Sequence, residues 1–420
     1  MFFKKKNNDF KSESLTAETW RRFKKQKLSM LGLVLIAFAC IISILGYLIT
    51  PDSTPYANNQ KPELHTKPPG FTVKFMLVKK NQEPDKTGIF EKMLFGKQEE
   101  STAISIYDYD FSNNNIIISE YTGGKSNSDG IKVKYDLADV IYALDFKKPY
   151  VYDTLNNKVS FYEIGNNNKI TKTIAELRVE AEKNNIVTRK YYLGTDVIGR
   201  DLLSRLMIGT RISLSVGLVS VVISLFIGIF LGAIAGYYRG VVDTCIMWLI
   251  NVVWSIPTLL LVIAITLVLG KGIVQVFIAV GLTMWVEVAR VVRGQILSIR
   301  EKEFVDAGRA LGFRNMRIIT RHVLSNVMGP VVVMAASNFA SAILTEAGLS
   351  FLGIGAQPPV PSWGEMSNAH YGYLLLGKAY LAIVPGIATA ILVLSFMLVG
   401  NGLRDALDTR NLDDKPIAAT

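Results

Sequence analysis

Six apolar blocks punctuate the chain, at 30–49, 212–236, 244–269, 273–292, 322–346 and 378–402. About 20 apolar residues in a helix cross the hydrocarbon core of a bilayer. Helices suit such crossings because their backbone polar groups pair within the segment. The pattern therefore predicts six transmembrane helices. Residues 51–190 break it: Lys, Asn, Asp and Tyr are frequent and no apolar run reaches membrane length. Short β-branched or aromatic runs at 115–121, 131–137, 150–154 and 158–164 read as strands, the last two flanking a hairpin turn at Leu155-Asn156-Asn157. Residues 170–184 read as a helix with Ile174, Leu177 and Ala181 on one side. The proline-bearing stretch 51–69 reads as an extended lead-in. The expected fold class is an all-α polytopic membrane protein carrying an inserted, mainly β or α+β domain.

Six crossings return both termini to one side, and charge indicates which. Lys4, Lys5, Lys6, Lys11, Arg21, Arg22, Lys24, Lys25 and Lys27 precede the first block, and a second basic cluster runs from Arg290 to Arg321. Lys and Arg accumulate in short cytoplasmic segments, whereas long loops cross largely regardless of charge. The expected organisation is a cytoplasmic segment 1–29, a first transmembrane helix 30–50 and an extracellular domain 51–190. A core at 191–402 follows, with five transmembrane helices and a cytoplasmic loop 293–321, then a cytoplasmic tail 403–420. The first block exceeds a signal-peptide apolar region, and Leu48-Ile49-Thr50-Pro51 offers no small-x-small cleavage site, so it reads as a retained anchor.

Composition agrees: 50% of the 420 residues are hydrophobic and 19% charged, with a mean hydropathy of +0.29. A net charge of +11 in a soluble protein would suggest nucleic acid; here the basic clusters flank apolar blocks, and no nucleic-acid partner is expected. Cys40 and Cys245 lie within or beside apolar blocks and read as packing residues. His65, His322 and His370 are scattered without metal-ligand spacing. Gly123-Gly124-Lys125-Ser126 lacks the first glycine of a phosphate loop, since position 119 is Ser119. With no Ser/His/Asp or paired-carboxylate constellation either, the chain is not expected to be an enzyme or to hold a cofactor or metal.

Several residues invite mechanism. In 301–326, EKEFVDAGRALGFRNMRIITRHVLSN, Phe304, Ala307, Gly308 and Leu311 share one helical face and Glu303, Asp306 and Arg309 point away. Gly312 then ends the helix. The small Ala307 and Gly308 would admit another protein's backbone, although such a helix could equally lie on lipid headgroups. Gly228, Gly232 and Gly236, four apart, form a ridge for helix packing. Pro257 and Pro385 would kink their crossings. Glu287 and Glu346 are ionisable near membrane depth and are candidates for a translocation path. In 193–205, Thr195 or Asp196 suits an N-cap, Leu202, Leu203 and Leu206 make an apolar stripe, and Asp196, Arg200 and Asp201 suit turn and capping roles.

The loop at 301–326 resembles the EAA loop of binding-protein-dependent ABC importer permeases through Asp306-Ala307-Gly308 and Gly312. It departs from that pattern in Asp for Glu, Gly for the second Ala, and Ser325 where a proline often stands. The segments 193–205, 344–353, 361–364 and 402–408 are similar to the C-type subunits of oligopeptide, dipeptide and nickel permeases. The resemblance covers 1–50 and 190–410. It implies a MetI-like permease fold, an ATP-driven peptide importer in the bacterial cell membrane, and a coupling helix near 303–313 in which Glu303, Asp306, Ala307, Gly308 and Gly312 engage an ATPase. It also implies partners: a second homologous permease, two cytoplasmic ABC ATPase subunits that bind ATP and magnesium, and an extracellular peptide-binding lipoprotein. A nickel or other small-solute importer is the alternative within the family. Outside it, a receptor would use the outer domain and a cytoplasmic signalling domain, and a proton-driven transporter would show internal repeats or mid-membrane carboxylates.

Overall fold

The computed structural model describes residues 15–83, 87–124, 130–166 and 168–408. Lys4, Lys5, Lys6, Lys11, Lys125, Ser126 and the tail beyond 408 lie outside the described residues. The chain opens with α1 (Leu15–Lys25), which lays Phe23 against the end of the bundle, and α2 (Lys27–Leu45). Little of α2 is buried: Ser29, Gly32 and Ala39 form its inner line. A Cβ on Gly32 would meet the Ser395 carbonyl at 2.7 Å, so the two backbones approach closely there. The chain then turns through 46–48 into a lead-in of extended stretches and short turns.

The lead-in feeds a β region. Its elements are β1 (Phe71–Lys79), α3 (Ile89–Phe95), β2 (Ser101–Ser112), β3 (Asn115–Glu120), β4 (Ile131–Asp136), α4 (Leu137–Ile141), β5 (Val151–Asp153), β6 (Lys158–Tyr162), β7 (Lys169–Thr173), α5 (Ile174–Glu180) and β8 (Ile186–Tyr191). Five strands pair antiparallel in the order β4-β3-β2-β1-β8, and β5-β6-β7 form a second sheet. Met76, Ile106, Ile116, Ile118, Leu137, Phe161 and Leu177 share the core between sheets and helices. The strands expected at 115–121, 131–137, 150–154 and 158–164 are present; β1, β2, β7 and β8 were not expected. The helix expected over 170–184 starts only at Ile174, because 169–173 pairs with β6. Thr173 and Glu176 then close a reciprocal capping box, and Ile174, Leu177 and Ala181 face inward as the spacing predicts.

The remaining elements are α6 (Leu202–Tyr238), α7 (Gly240–Ser255), α8 (Thr258–Leu269), α9 (Ile273–Ile299), α10 (Glu303–Ala310), α11 (Asn315–Ile318), α12 (Leu324–Phe351), α13 (Trp363–His370) and α14 (Tyr380–Leu407). Three boundaries differ from the sequence reading. The apolar stripe of Leu202, Leu203 and Leu206 belongs to the same helix as the crossing expected at 212–236, since nothing between Leu202 and Tyr238 breaks the helix; at about 1.5 Å per residue α6 runs about 55 Å. The block 244–269 is not one kinked helix: Ile256, extended before Pro257, separates α7 from α8 at a bend of 91°. Helix α9 continues to Ile299, so the loop begins there and not at 293. Pro385 is accommodated inside a continuous α14. Among the described residues five helices are long and apolar enough to cross a membrane, and six crossings result if α7 and α8 count as one bent span.

The ends of the bundle are distinct. At one, α1 meets the last residues of α14 through Arg22 and the Asp408 carbonyl, 3.3 Å apart, and Arg239 after α6 pairs with Glu301 at 2.6 Å. At the other, Tyr380 at the start of α14 donates to the Lys67 carbonyl in the lead-in, 2.8 Å, beside the β region.

Candidate functional site

The three glycines of α6 set the central packing. A Cβ on Gly228 would meet Val288 at 2.5 Å, one on Gly232 the Ala289 carbonyl at 2.6 Å, and one on Gly236 the Arg293 carbonyl at 2.9 Å. Any side chain there would push α9 away. This contact carries α9 to the loop, where Tyr237, Ile296, Ile299, Val305, Ile318, Ile319 and Val323 form one buried cluster. Arg300 donates to the Tyr237 carbonyl, and the Tyr237 hydroxyl donates to Asn315 at 2.9 Å. Helices α10 and α11 are thus braced on the end of α6.

Helix α10 ends in a Schellman motif. Phe313 N–H donates to the Gly308 carbonyl and Gly312 N–H to the Arg309 carbonyl, with Gly312 at φ +77°. The glycine expected to stop this helix does so for a conformational reason. The apolar stripe divides: Gly308 is buried beside Phe313 and Ile318, while Phe304, Ala307 and Leu311 face outward. Val305, outside the stripe, supplies the inward contact. Leu311 is 72% and Met316 62% exposed, leaving an apolar face rimmed by Glu303 and by the Asp306–Arg309 pair, 3.0 Å apart.

The two glutamates lie in opposite settings. Glu287 is exposed on α9 and lines a cavity of about 300 Å³ where α7 breaks into α8, with Trp254, Thr283, Asn338, Ser341 and Thr345. The Arg290 guanidinium stacks over Trp254, 3.5 Å from the ring centre. Glu346 is fully buried and accepts hydrogen bonds from Ser350 and Ser362, both at 2.7 Å. It ties α12 to the turn before α13 and is not among the residues lining the Glu287 cavity. Cys245, read from the sequence as a packing residue, is exposed on α7, whereas Cys40 packs beside the α2–α14 contact. Among the described residues no His, Cys, Asp and Glu group could hold a metal.

A buried charge cluster went unforeseen as a unit. Asp196 accepts from the Ile198 and Arg200 amides at 3.0 and 2.9 Å and from Arg200 Nε at 2.6 Å. Arg205 on α6 sits 3.9 Å from Asp196 and 3.4 Å from Glu365 on α13. Burial pushes the Glu365 carboxyl up, against the opposing pull of Arg205. The N-cap of α6 is Asp201, which accepts from the Ser204 amide at 2.9 Å, not Thr195 or Asp196. Thr195 instead fastens the lead-in, accepting from the Lys67 amide at 2.8 Å and donating to the Leu64 carbonyl. The closely spaced Asp196, Arg200, Asp201 and Arg205 signalled a polar cluster; Glu365, 160 residues farther on, is brought in only by the fold.

Known proteins resemble the chain in two places. Residues 228–412 match the family described as binding-protein-dependent transport system inner membrane component. Residues 14–69 match the N-terminal TM domain of oligopeptide transport permease C. A glutathione transport system permease protein, GsiD, of Pectobacterium atrosepticum is 40% identical over 220 residues, 52% of this chain and 73% of that protein. A dipeptide transport system permease protein, DppC, of Alkalihalophilus pseudofirmus is 37% identical over 221 residues, 53% of this chain and 72% of that one. A solved structure of the MetNI methionine ABC transporter in an inward-facing conformation aligns with a TM-score of 0.41 at 19% identity, over 49% of this chain and 98% of that chain. The matches fall on α2 and its lead-in and on the packed helices from α6 onward, and the chain belongs to the inner-membrane permease components of binding-protein-dependent ABC transporters, in their C-type branch.

Proposed function

We propose that this permease passes short peptides inward between itself and a second homologous permease, driven by two ABC ATPases. The observation that carries the peptide reading is the 40% and 37% identity to glutathione and dipeptide permeases. In this reading 1–29 and 403–420 are cytoplasmic, and α2, α6, the bent pair α7–α8, α9, α12 and α14 are the six crossings. Domain 51–190 stands outside and docks a peptide-binding lipoprotein. Support for that orientation is the concentration of Arg21, Arg22, Lys24, Lys25, Arg239, Arg300, Arg314, Arg317 and Arg321 at the α10 end.

Glu303, Asp306, Ala307, Gly308 and Gly312 form the ATPase-coupling element: Gly308 and Gly312 shape it, and the outward Phe304, Ala307 and Leu311 enter a cleft of the ATPase. Glu287 is the polar wall of the path. ATP and magnesium belong to the ATPases, and their closure moves α10 only because nucleotide binds one state better than the other. Copurification tests the coupling element. The tagged chain is expected to bring down ATPase subunits, and Leu311→Asp to lose them while the second permease stays bound. Retention of the ATPases by Leu311→Asp would refute this docking face.

A further inference from the structure

Helix α3 has an apolar face that its own region does not use. Ile89, Phe90, Leu94 and Phe95 are all exposed, Phe90 at 79%, and no α3 residue enters the buried clusters of the β region. A soluble domain rarely presents so dense a patch on so short a helix.

The position of α3 is fixed. Arg211 on α6 donates from Nη1 to the Leu94 carbonyl at 2.6 Å and from Nη2 to the Met93 carbonyl at 3.0 Å. The same guanidinium donates from Nε to the Ser43 carbonyl at 2.9 Å and from Nη2 to the Ile44 carbonyl at 3.4 Å, at the end of α2. One cation thus satisfies the otherwise unpaired terminal carbonyls of two helices. The following Gly96, at φ +79°, presses on the lead-in, where a Cβ would meet the Ser53 carbonyl at 2.7 Å; Lys97 N–H donates to that carbonyl at 2.9 Å. The helix is clamped beside the end of a crossing.

At that end Ile41 and Ile44 of α2, and Leu48 and Ile49 in the turn just after it, are exposed. These continue the apolar surface of a helix that matches the family's N-terminal TM domain. The α3 face prolongs that surface to the boundary where the lead-in begins. Two phenylalanines and two aliphatics, with Lys92 and Lys97 beside them, have the composition of a helix lying in the interfacial layer. We infer that α3 is a membrane-surface anchor: it rests the β region on the lipid headgroup and acyl boundary next to the end of α2. Its occupant is the bilayer, and the continuity with the exposed face of α2 is what selects lipid over protein.

Site-directed spin labelling decides the matter. Cys40 and Cys245 are replaced by Ser, and a nitroxide is placed through Phe90→Cys or, separately, Phe95→Cys. The full chain is reconstituted in phosphatidylethanolamine and phosphatidylglycerol nanodiscs, alone and with the other transporter subunits. Collision with oxygen is compared with collision with a water-soluble nickel chelate. The expected oxygen-to-nickel ratio is several-fold higher at both positions than at a Leu155→Cys control on the exposed β5–β6 hairpin tip. A ratio equal to that control would overturn the anchor, and loss of both collisions on assembly would overturn it in favour of a protein partner.

Discussion

Arg205 on α6 and Glu365 on α13 meet at 3.4 Å, with the Arg205 side chain 1% exposed and Asp196 on its other side at 3.9 Å. A cation buried between two carboxylates is costly to remove singly, because the anions are left uncompensated. Arg205→Met is therefore expected to lower stability by about 3–5 kcal/mol. Arg205→Met with Glu365→Gln should lose less than the sum of the two single changes. Unfolding midpoints in detergent measure the cycle; strict additivity would mean the pair does not interact.

His370 is buried at the end of α13 with Nδ1 against the Met366 carbonyl, and burial pushes its pKa below the ordinary value. The unfolded chain then takes up this proton first as pH falls through about 6.5. The stability contributed by neutral His370 is full above that pH and declines on acidification towards the folded-state pKa. His370→Gln should flatten the fall in melting temperature below about pH 6.5. An unchanged slope would remove His370 as a source of the acid sensitivity.

Two glycines should respond in opposite directions. Gly308→Ala adds a Cβ at ordinary contact distance, 3.6 Å from Phe313, and should stabilise by up to about 1 kcal/mol through helix propensity. Gly232→Ala drives a Cβ into the Ala289 carbonyl at 2.6 Å and should cost about 1–3 kcal/mol by overpacking. Thermal unfolding of the two variants side by side checks the sign of each.

Glu287→Gln keeps the shape of the cavity wall and removes its charge. On the proposed path, peptide transport should fall about tenfold, the scale of roughly 1.4 kcal/mol, with ATPase binding intact. Uptake at the wild-type rate would place the path elsewhere.

Much of the fold was legible because long apolar blocks leave little choice in lipid, and Asp201 and Gly312 are the kinds of residue that start and stop helices. Other features depended on tertiary context. Pro257 announces a break, but not that α7 and α8 meet there at 91°. Strand β1 holds an apolar run of only four residues, Phe75, Met76, Leu77 and Val78, between Lys74 and Lys79, and β2 alternates aromatic with acidic residues from Tyr107 to Phe111, so both signals are short. Periodicity grouped Phe304, Ala307, Gly308 and Leu311 on one face, yet could not tell that Gly308 is covered by its own chain while the other three are left open. For the same reason Glu287 and Glu346 read alike in sequence: one stands on an exposed wall, and the other is enclosed by Ser350 and Ser362.

The central claim is ATP-driven inward passage of peptide through this permease, coupled at α10. Its most direct test is uptake of a labelled dipeptide by proteoliposomes containing the whole transporter, with binding protein outside and ATP inside. The expected result is accumulation that requires ATP and is lost in Leu311→Asp. Uptake that proceeds without ATP, or at full rate in Leu311→Asp, would contradict the claim.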